Sequence, residues 1–308
     1  MDTRSRRRAP PRAPSAFSAP IESRRRAFER YFARTLPSAR AHPARLHAAL
    51  RYSALSPGKR FRPLLVLAAC EAAGGSWRQA LPAAAAVECV HAFSLVHDDL
   101  PAMDDDDFRR GRPTTHKVYG EALGLLAGDA LLAAAFEELC RLVRSVPPSR
   151  IVAAVRTLAR ASGSRELVGG QVLDLEAERR RATARAVRDI HARKTGALLG
   201  AAMALGGIVA GASRAKLARL ERIGRDLGLA FQIHDDLLNR GSSLARLGKR
   251  AGTDEARGKA TYPRAVGERR ARLEAGRLLA RCLAALKGVG TRTRALEELI
   301  CAMANRES

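Results

Sequence analysis

What most constrains this chain is a change of character between residues 81 and 112. Leu81 to Val96 is mostly apolar, and the residues that follow, Asp98 to Arg112, hold six aspartates in ten positions and then Arg109 and Arg110. An apolar run of that length reads as a buried helix. The helix therefore delivers a dense set of carboxylates to one spot. Carboxylates so close raise one another's pKa and repel unless something positive lies among them. Hard, oxygen-seeking Mg²⁺ is the natural neutraliser, and it binds through one or two carboxylates together with substrate phosphates. Arg109 and Arg110 add guanidinium forks suited to diphosphate oxygens. A solvated acidic loop is the plainer reading of a charge run. The apolar helix leading directly into this one weighs against it.

The remaining pattern is helical. Hydrophobic residues make up 46% of the 308, enough for a sizeable core, while aromatics are only 4%. Alanine, leucine and arginine dominate, which favours helix over sheet, and no alternating strand pattern emerges. Helices are expected over 64–73, 81–96, 121–144 and 217–239, and again from 264 to 304. The nineteen residues 195–213 carry no charge, close to membrane-spanning length. Glycines interrupt them, no stop-transfer neighbourhood flanks them, and no second such run exists. They are expected to form a core helix of a large bundle. No linker divides the chain, so an all-α domain over 21–308 follows a basic, proline-rich tail over 1–20. That tail cannot bury enough apolar surface to order itself. It lacks the apolar core of a secretory signal, although an organelle transit peptide has a similar composition.

Net charge is +24, from 55 Lys and Arg against 31 Asp and Glu. The arginines are scattered, with no basic stretch interleaved with aromatics, so a specific nucleic-acid partner is not expected. Solvated faces and anionic small substrates explain the excess more simply. Five cysteines (Cys70, Cys89, Cys140, Cys282, Cys301) form no CxxC pair. Four lie among apolar neighbours, as buried free thiols do, and a reducing cytoplasm is the default.

A second acidic group, Asp235 and Asp236 with Asn239, ends the helix over 217–239. Lys194, Lys249 and Lys259 lie near it in sequence, and an earlier turn, Gly58-Lys59-Arg60-Phe61-Arg62-Pro63, offers three cations as a further phosphate clamp. Two carboxylate clusters with phosphate-binding cations, and no convincing nucleophile–base pair, suit ionisation of a diphosphate leaving group. Apolar helices between them would shelter a greasy organic group.

At these residues the chain resembles the bacterial short-chain trans-polyprenyl diphosphate synthases, farnesyl diphosphate synthase above all. The matching stretches are Gly58-Lys59-Arg60-x-Arg62-Pro63, Glu88-x-x-His91-x-x-Ser94-Leu95-x-His97, the whole of 98–113, and Gly128-Asp129-Ala130. Further along come Gly169-Gly170-Gln171-x-x-Asp174-Leu175, His191-x-x-Lys194-Thr195-Gly196 and Phe231-Gln232-x-x-Asp235-Asp236. Leu247-Gly248-Lys249-Arg250 through Gly258-Lys259-x-Thr261-Tyr262-Pro263 completes the series. The resemblance implies a large antiparallel helix bundle around a deep central cavity, assembled as a homodimer. It implies three Mg²⁺ ions, with Mn²⁺ as a substitute, held by Asp98, Asp99, Asp104, Asp235 and Asp236. Arg109, Lys194 and Lys259 would grip an allylic diphosphate, Gly58, Lys59, Arg62, His91 and Arg110 would hold isopentenyl diphosphate, and Lys249 is a further substrate-binding residue. Lys194, Thr195 and Gln232 would steady an allylic cation, and released pyrophosphate would take the proton. Phe93, with Ser94 beside it, would limit product length to fifteen carbons; a geranyl or geranylgeranyl product, or a weakly active or non-catalytic partner subunit, is the alternative. His97 is expected to be a structural hydrogen-bonder. Asn239 departs from the pattern, which usually has aspartate there.

Overall fold

Alanine and glycine decide how closely the helices of this molecule approach. The computed structural model describes residues 17–178, 183–241 and 259–304. At its centre is α10 (Ala197–Ala210), buried from Ala197 to Val209. With no charged side chain to solvate, it is enclosed on all sides by α3 (Phe61–Ala72), α4 (Leu81–Asp98), α7 (Pro148–Ser162) and α11 (Arg214–Gly241). One close crossing is with α3. A Cβ on Gly206 would lie 2.3 Å from the Val66 carbonyl oxygen and 2.7 Å from the Cys70 nitrogen, so a side chain there would force two backbones apart. The uncharged run is thus a core helix, and no described helix is long and apolar enough to cross a membrane.

Two apolar clusters lie on either side of this centre. One gathers Phe28 and Phe32 of α1 (Ala19–Thr35) with α4, α6 (Glu121–Cys140) and α7. The other gathers α3 and α11 with α13 (Glu268–Leu286) and α14 (Arg294–Ala304). Between α4 and α6 run a two-strand hairpin, β1 (Phe108–Arg109) and β2 (Arg112–Pro113), and the short α5 (Thr115–Tyr119). Helix α2 (Ala44–Ala54) packs on α5 and α6; α8 (Leu167–Ala177) and α9 (Ala184–His191) lead to α10 through a π-helical turn, Ala192–Gly196. A five-residue helix, α12 (Tyr262–Val266), precedes α13.

The all-α class holds, with small differences from expectation. The helix read over 121–144 tightens into a 3₁₀ turn from Arg141 to Arg144. The last residues of the stretch read as tail pack on the bundle: Phe17 lies edge-on to Phe61 at 5.3 Å, and Pro20 sits in the first turn of α1. Of the cysteines, Cys70, Cys89 and Cys282 are buried but Cys140 and Cys301 are exposed, because helix phase turns these two outward despite apolar neighbours. The strand pair was not foreseen: two residues per strand are too few to show an alternation.

Gly206→Ala should lower the denaturant-unfolding free energy by about 1–3 kcal/mol, the cost of overpacking a tight core. Gly276→Ala, on α13 with nothing within 4 Å of the added Cβ, should be neutral or raise it by about 0.5–1 kcal/mol. Equal effects at the two sites would mean that the α3–α10 crossing is not close.

Candidate active site

The end of α4 folds back on itself. Asp98 is its last residue; after it the Asp104 amide donates to the Asp98 carbonyl at 2.8 Å, and the Asp105 amide to the Leu100 carbonyl at 3.1 Å. That loop returns Asp104 to the side of Asp98. Burial raises the pKa of the Asp98 carboxyl; Lys194 opposes it, Asp104 adds to it, and Arg109 and Lys259 lower it again. Five predicted site residues therefore share one electrostatic neighbourhood. Cations neutralise it: Lys259 Nζ lies 3.1 Å from Asp104 Oδ1, and Arg109 Nε donates to the buried Asp99 Oδ1 at 2.6 Å.

The second acidic group is tied to the first through the segment after the undescribed residues. Asp236 is buried, and its Oδ2 accepts the Tyr262 amide at 2.8 Å and lies 3.4 Å from His191 Nε2. Burial, partly opposed by Asp174, lowers the His191 pKa to about 4, so the ring there is neutral. This oxygen of Asp236, a residue expected among the metal ligands, is engaged in holding the chain that carries Lys259. Asp235 is half-buried, as is Asn239. Lys249 lies outside the described residues.

Between the two acidic groups the π-turn inserts an extra residue into the α9–α10 register. The Thr195 hydroxyl donates to Gln232 Oε1 at 3.0 Å, and Lys194 Nζ donates to Asp174 Oδ2 at 2.8 Å. The three residues expected to steady a cation are thereby joined to α8 and α11.

The other cations form a distinct cleft of about 430 Å³, lined by Lys59, Arg62, His91, Arg110, Leu199 and Phe231 among others. His91 Nε2 lies 3.4 Å from Arg62 Nη1 and 3.5 Å from Arg110 Nη2. Burial, then the charges of Arg62, Arg110, Arg109 and Arg60, hold its pKa well below the usual imidazole value. A neutral ring is what two guanidiniums can share. Arg110 also donates to the Pro57 carbonyl at 3.0 Å, lying where a Cβ on Gly58 would come within 2.5 Å of Nη1. Glycine at 58 is therefore a condition for Arg110 to reach across. Arg60, counted among the clamp's cations in the sequence, is not in that role: it is buried, pairs with Glu88, and donates to the Ser56 carbonyl at 2.7 Å and the Ala54 carbonyl at 3.2 Å. It ties the turn together from within.

Further down α4, Phe93 is buried and meets the His97 ring edge-on at 4.9 Å. His97 Nε2 bonds the Leu125 carbonyl at 2.9 Å, the structural part expected of it, and Gly128 leaves room for the ring. The Ser94 hydroxyl turns back to the His91 carbonyl at 3.0 Å.

Among the described residues no three His, Cys, Asp or Glu side chains are drawn together into a ready-made metal cage. The donors are nevertheless of the right kind for Mg²⁺. Asp98 and Asp104 are hard carboxylates brought together by the fold, and an ammonium group already sits against one of them.

The sequence profile of the polyprenyl synthetases matches residues 43–299, a span that contains every one of these groups. The chain belongs to the polyprenyl synthetase family. It is a trans-prenyltransferase on that membership. A chloroplastic geranylgeranyl pyrophosphate synthase of Capsicum annuum is 45% identical to it over 251 residues, covering 81% of this chain and 68% of that one. The FPP/GFPP synthase structure from Zymomonas mobilis has a TM-score of 0.80 at 36% identity, over 91% of this chain and 95% of the other. A Helicobacter pylori geranyltransferase, solved with magnesium and isoprenyl diphosphate, gives 0.81 at 29% identity over 94% and 98%.

Against this family background, Asp174 had a signal in the sequence, a carboxylate three residues after Gln171 in an apolar helix, but only the structure gives it Lys194 as a partner. The Arg60–Glu88 pair needed the fold, since 28 residues separate them.

His91 gives the site a pH dependence of stability. The folded protein binds its proton more weakly than the unfolded chain does, so this contribution is fully present above the ordinary imidazole value of 6.5. It is lost as pH falls below that value. Between about pH 7 and pH 5 the urea midpoint should drop further in the native sequence than in His91→Gln; equal drops would mean that the ring ionises freely.

Proposed function

We propose that this prenyltransferase condenses isopentenyl diphosphate head-to-tail with dimethylallyl and then geranyl diphosphate, giving farnesyl diphosphate. One observation carries the reading. The cations suited to diphosphate (Lys259, Lys194, Arg109) stand among the α4 carboxylates and next to the Thr195–Gln232 pair, while Arg62, His91 and Arg110 make a second anion cleft nearby.

Asp98 at the end of α4, Asp104 in the loop after it, and Asp235 from α11 would hold Mg²⁺, with Asp99 and Asp236 behind them pairing Arg109 and the Tyr262 segment. Three ions are expected, with Mn²⁺ able to substitute. Bound there, Mg²⁺ neutralises diphosphate charge and so favours departure of pyrophosphate. Arg109, Lys194 and Lys259 exchange carboxylate for phosphate oxygen and add positive charge at the leaving group. Lys249 is proposed for the same grip. The second cleft holds isopentenyl diphosphate, with neutral His91 accepting from the two arginines and Lys59 and Gly58 closing the turn. The Thr195 hydroxyl, the Gln232 amide and the Lys194 carbonyl present dipoles to the allylic cation. No side chain is required as base, because the departing pyrophosphate takes the proton.

Phe93 supports the fifteen-carbon product. It lies five residues before Asp98, about 7.5 Å along the helix at 1.5 Å per residue, with its ring backed by His97. A geranylgeranyl product is the second reading, favoured by the name of the Capsicum annuum relative. For assembly we propose a homodimer, supported by the exposed apolar side chains Leu125 (47%) and Leu126 (50%) on α6.

Purified protein with Mg²⁺, isopentenyl diphosphate and either dimethylallyl or geranyl diphosphate should release pyrophosphate and yield farnesyl diphosphate by chromatography, and chelation should abolish both. Absence of turnover with metal in excess would remove the reading; a twenty-carbon product would move it to the second one. Phe93→Ala should lengthen the product by at least one five-carbon unit, and an unaltered product would take Phe93 out of that role.

A further inference from the structure

The hairpin that presents Arg109 and Arg110 is a weak element in itself. Its ladder pairs only Phe108 with Pro113 and Arg109 with Arg112, far below what holds a hairpin together in water. Both residues of its turn, Arg110 (φ 54°) and Gly111 (φ 73°), have positive φ. Glycine accepts that conformation, whereas arginine does so at a cost. Contacts outside the hairpin must therefore fix it.

Three such contacts stand out. Arg109 reaches Asp99 at 2.6 Å, and Arg110 reaches the Pro57 carbonyl at 3.0 Å. The third comes from α2: the Tyr52 hydroxyl donates to the Pro113 carbonyl at 2.8 Å. The first two use the guanidiniums that the proposed reaction assigns to the diphosphates, so they weaken as substrate binds. The Tyr52 contact does not. Its ring is itself held on two sides, with the Arg112 guanidinium over one face at 4.4 Å and the Tyr119 ring edge-on at 5.6 Å. Arg112 is in turn the cross-strand partner of Arg109.

Resting on the prenyl-transfer reading, we infer that Tyr52 is a positioning residue, which keeps the Arg109–Arg110 hairpin in place while both arginines are engaged with the two diphosphate substrates. The role is in binding both diphosphates, not in the ionisation step. Tyr52→Phe removes only the hydroxyl and keeps the stacked ring; Tyr52→Leu removes both. In Tyr52→Phe the KM for isopentenyl diphosphate and for the allylic diphosphate should each rise about two- to tenfold, the equivalent of one hydrogen bond. The value of kcat should stay within about twofold. Tyr52→Leu should raise both KM values further, with Tyr52→Phe as the partial rescue; if Tyr52→Leu does not fold, Tyr52→Phe alone decides.

Titration calorimetry with inorganic pyrophosphate and Mg²⁺ separates the two ideas. An inactive native protein that binds pyrophosphate more tightly than Tyr52→Phe would remove the reaction and leave the positioning role. An active native protein whose KM values and pyrophosphate affinity are unchanged in Tyr52→Phe would overturn the positioning role and leave the reaction. A fall in kcat with both KM values unchanged would overturn it as well, and a native protein with neither turnover nor pyrophosphate binding would overturn both.

Discussion

Asp98, Asp99 and Asp104 can crowd one end of a buried helix because cations from distant parts of the chain stand among them. Without Lys194, Arg109 and Lys259, burial and repulsion from Asp104 would push the Asp98 carboxyl further toward protonation. The placement of much else follows. The β1–β2 hairpin carries Arg109 back to Asp99, the π-turn carries Lys194 to the side of α4, and Asp236 holds the Tyr262 amide and with it the segment bearing Lys259. Helix packing makes this convergence geometrically feasible. The close α3–α10 crossing at Gly206 brings the turn with Gly58 and the α10 entrance toward the same end of the molecule.

Much of this was legible in the sequence because its signals are local. An apolar run that ends in aspartates declares both a buried helix and a charged end, and an uncharged alanine–glycine run declares a crowded centre. Contacts between distant residues were not legible. Arg60 looks no different in sequence from Lys59 or Arg62, yet burial beside Glu88 makes it a strut. Asp236 is indistinguishable from Asp235 until the Tyr262 amide is found on its oxygen. The hairpin hides for a different reason: where Asn-Gly would signal a two-residue turn, the chain has Arg110-Gly111, because the side chain at that position serves the anion cleft.

The two anion clefts differ in how they are kept ready. Around Asp98 opposite charges neutralise one another, so the pairs can exchange partners. Around His91 the guanidiniums of Arg62 and Arg110 approach a neutral imidazole, and Arg110 also reaches the Pro57 carbonyl; contacts to these neutral groups do not themselves cancel guanidinium charge. In the proposed reaction a diphosphate at the first site would replace carboxylate on its cations, whereas at the second it would meet guanidiniums bonded to an imidazole and a carbonyl.

That difference bears on the order in which the proposed reaction can be assembled. Phosphate replacing carboxylate on Lys259 and Arg109 keeps those cations paired only if the released aspartates find positive charge of their own, so on the acidic side anion and metal have to arrive together. Tyr52 matters to both sides because β1 and the turn hold one arginine of each: Arg109 faces Asp99 and Arg110 faces His91. In the proposed reaction a six-residue hairpin would thereby set the separation between the two diphosphates, and a small shift in it would disturb both grips at once.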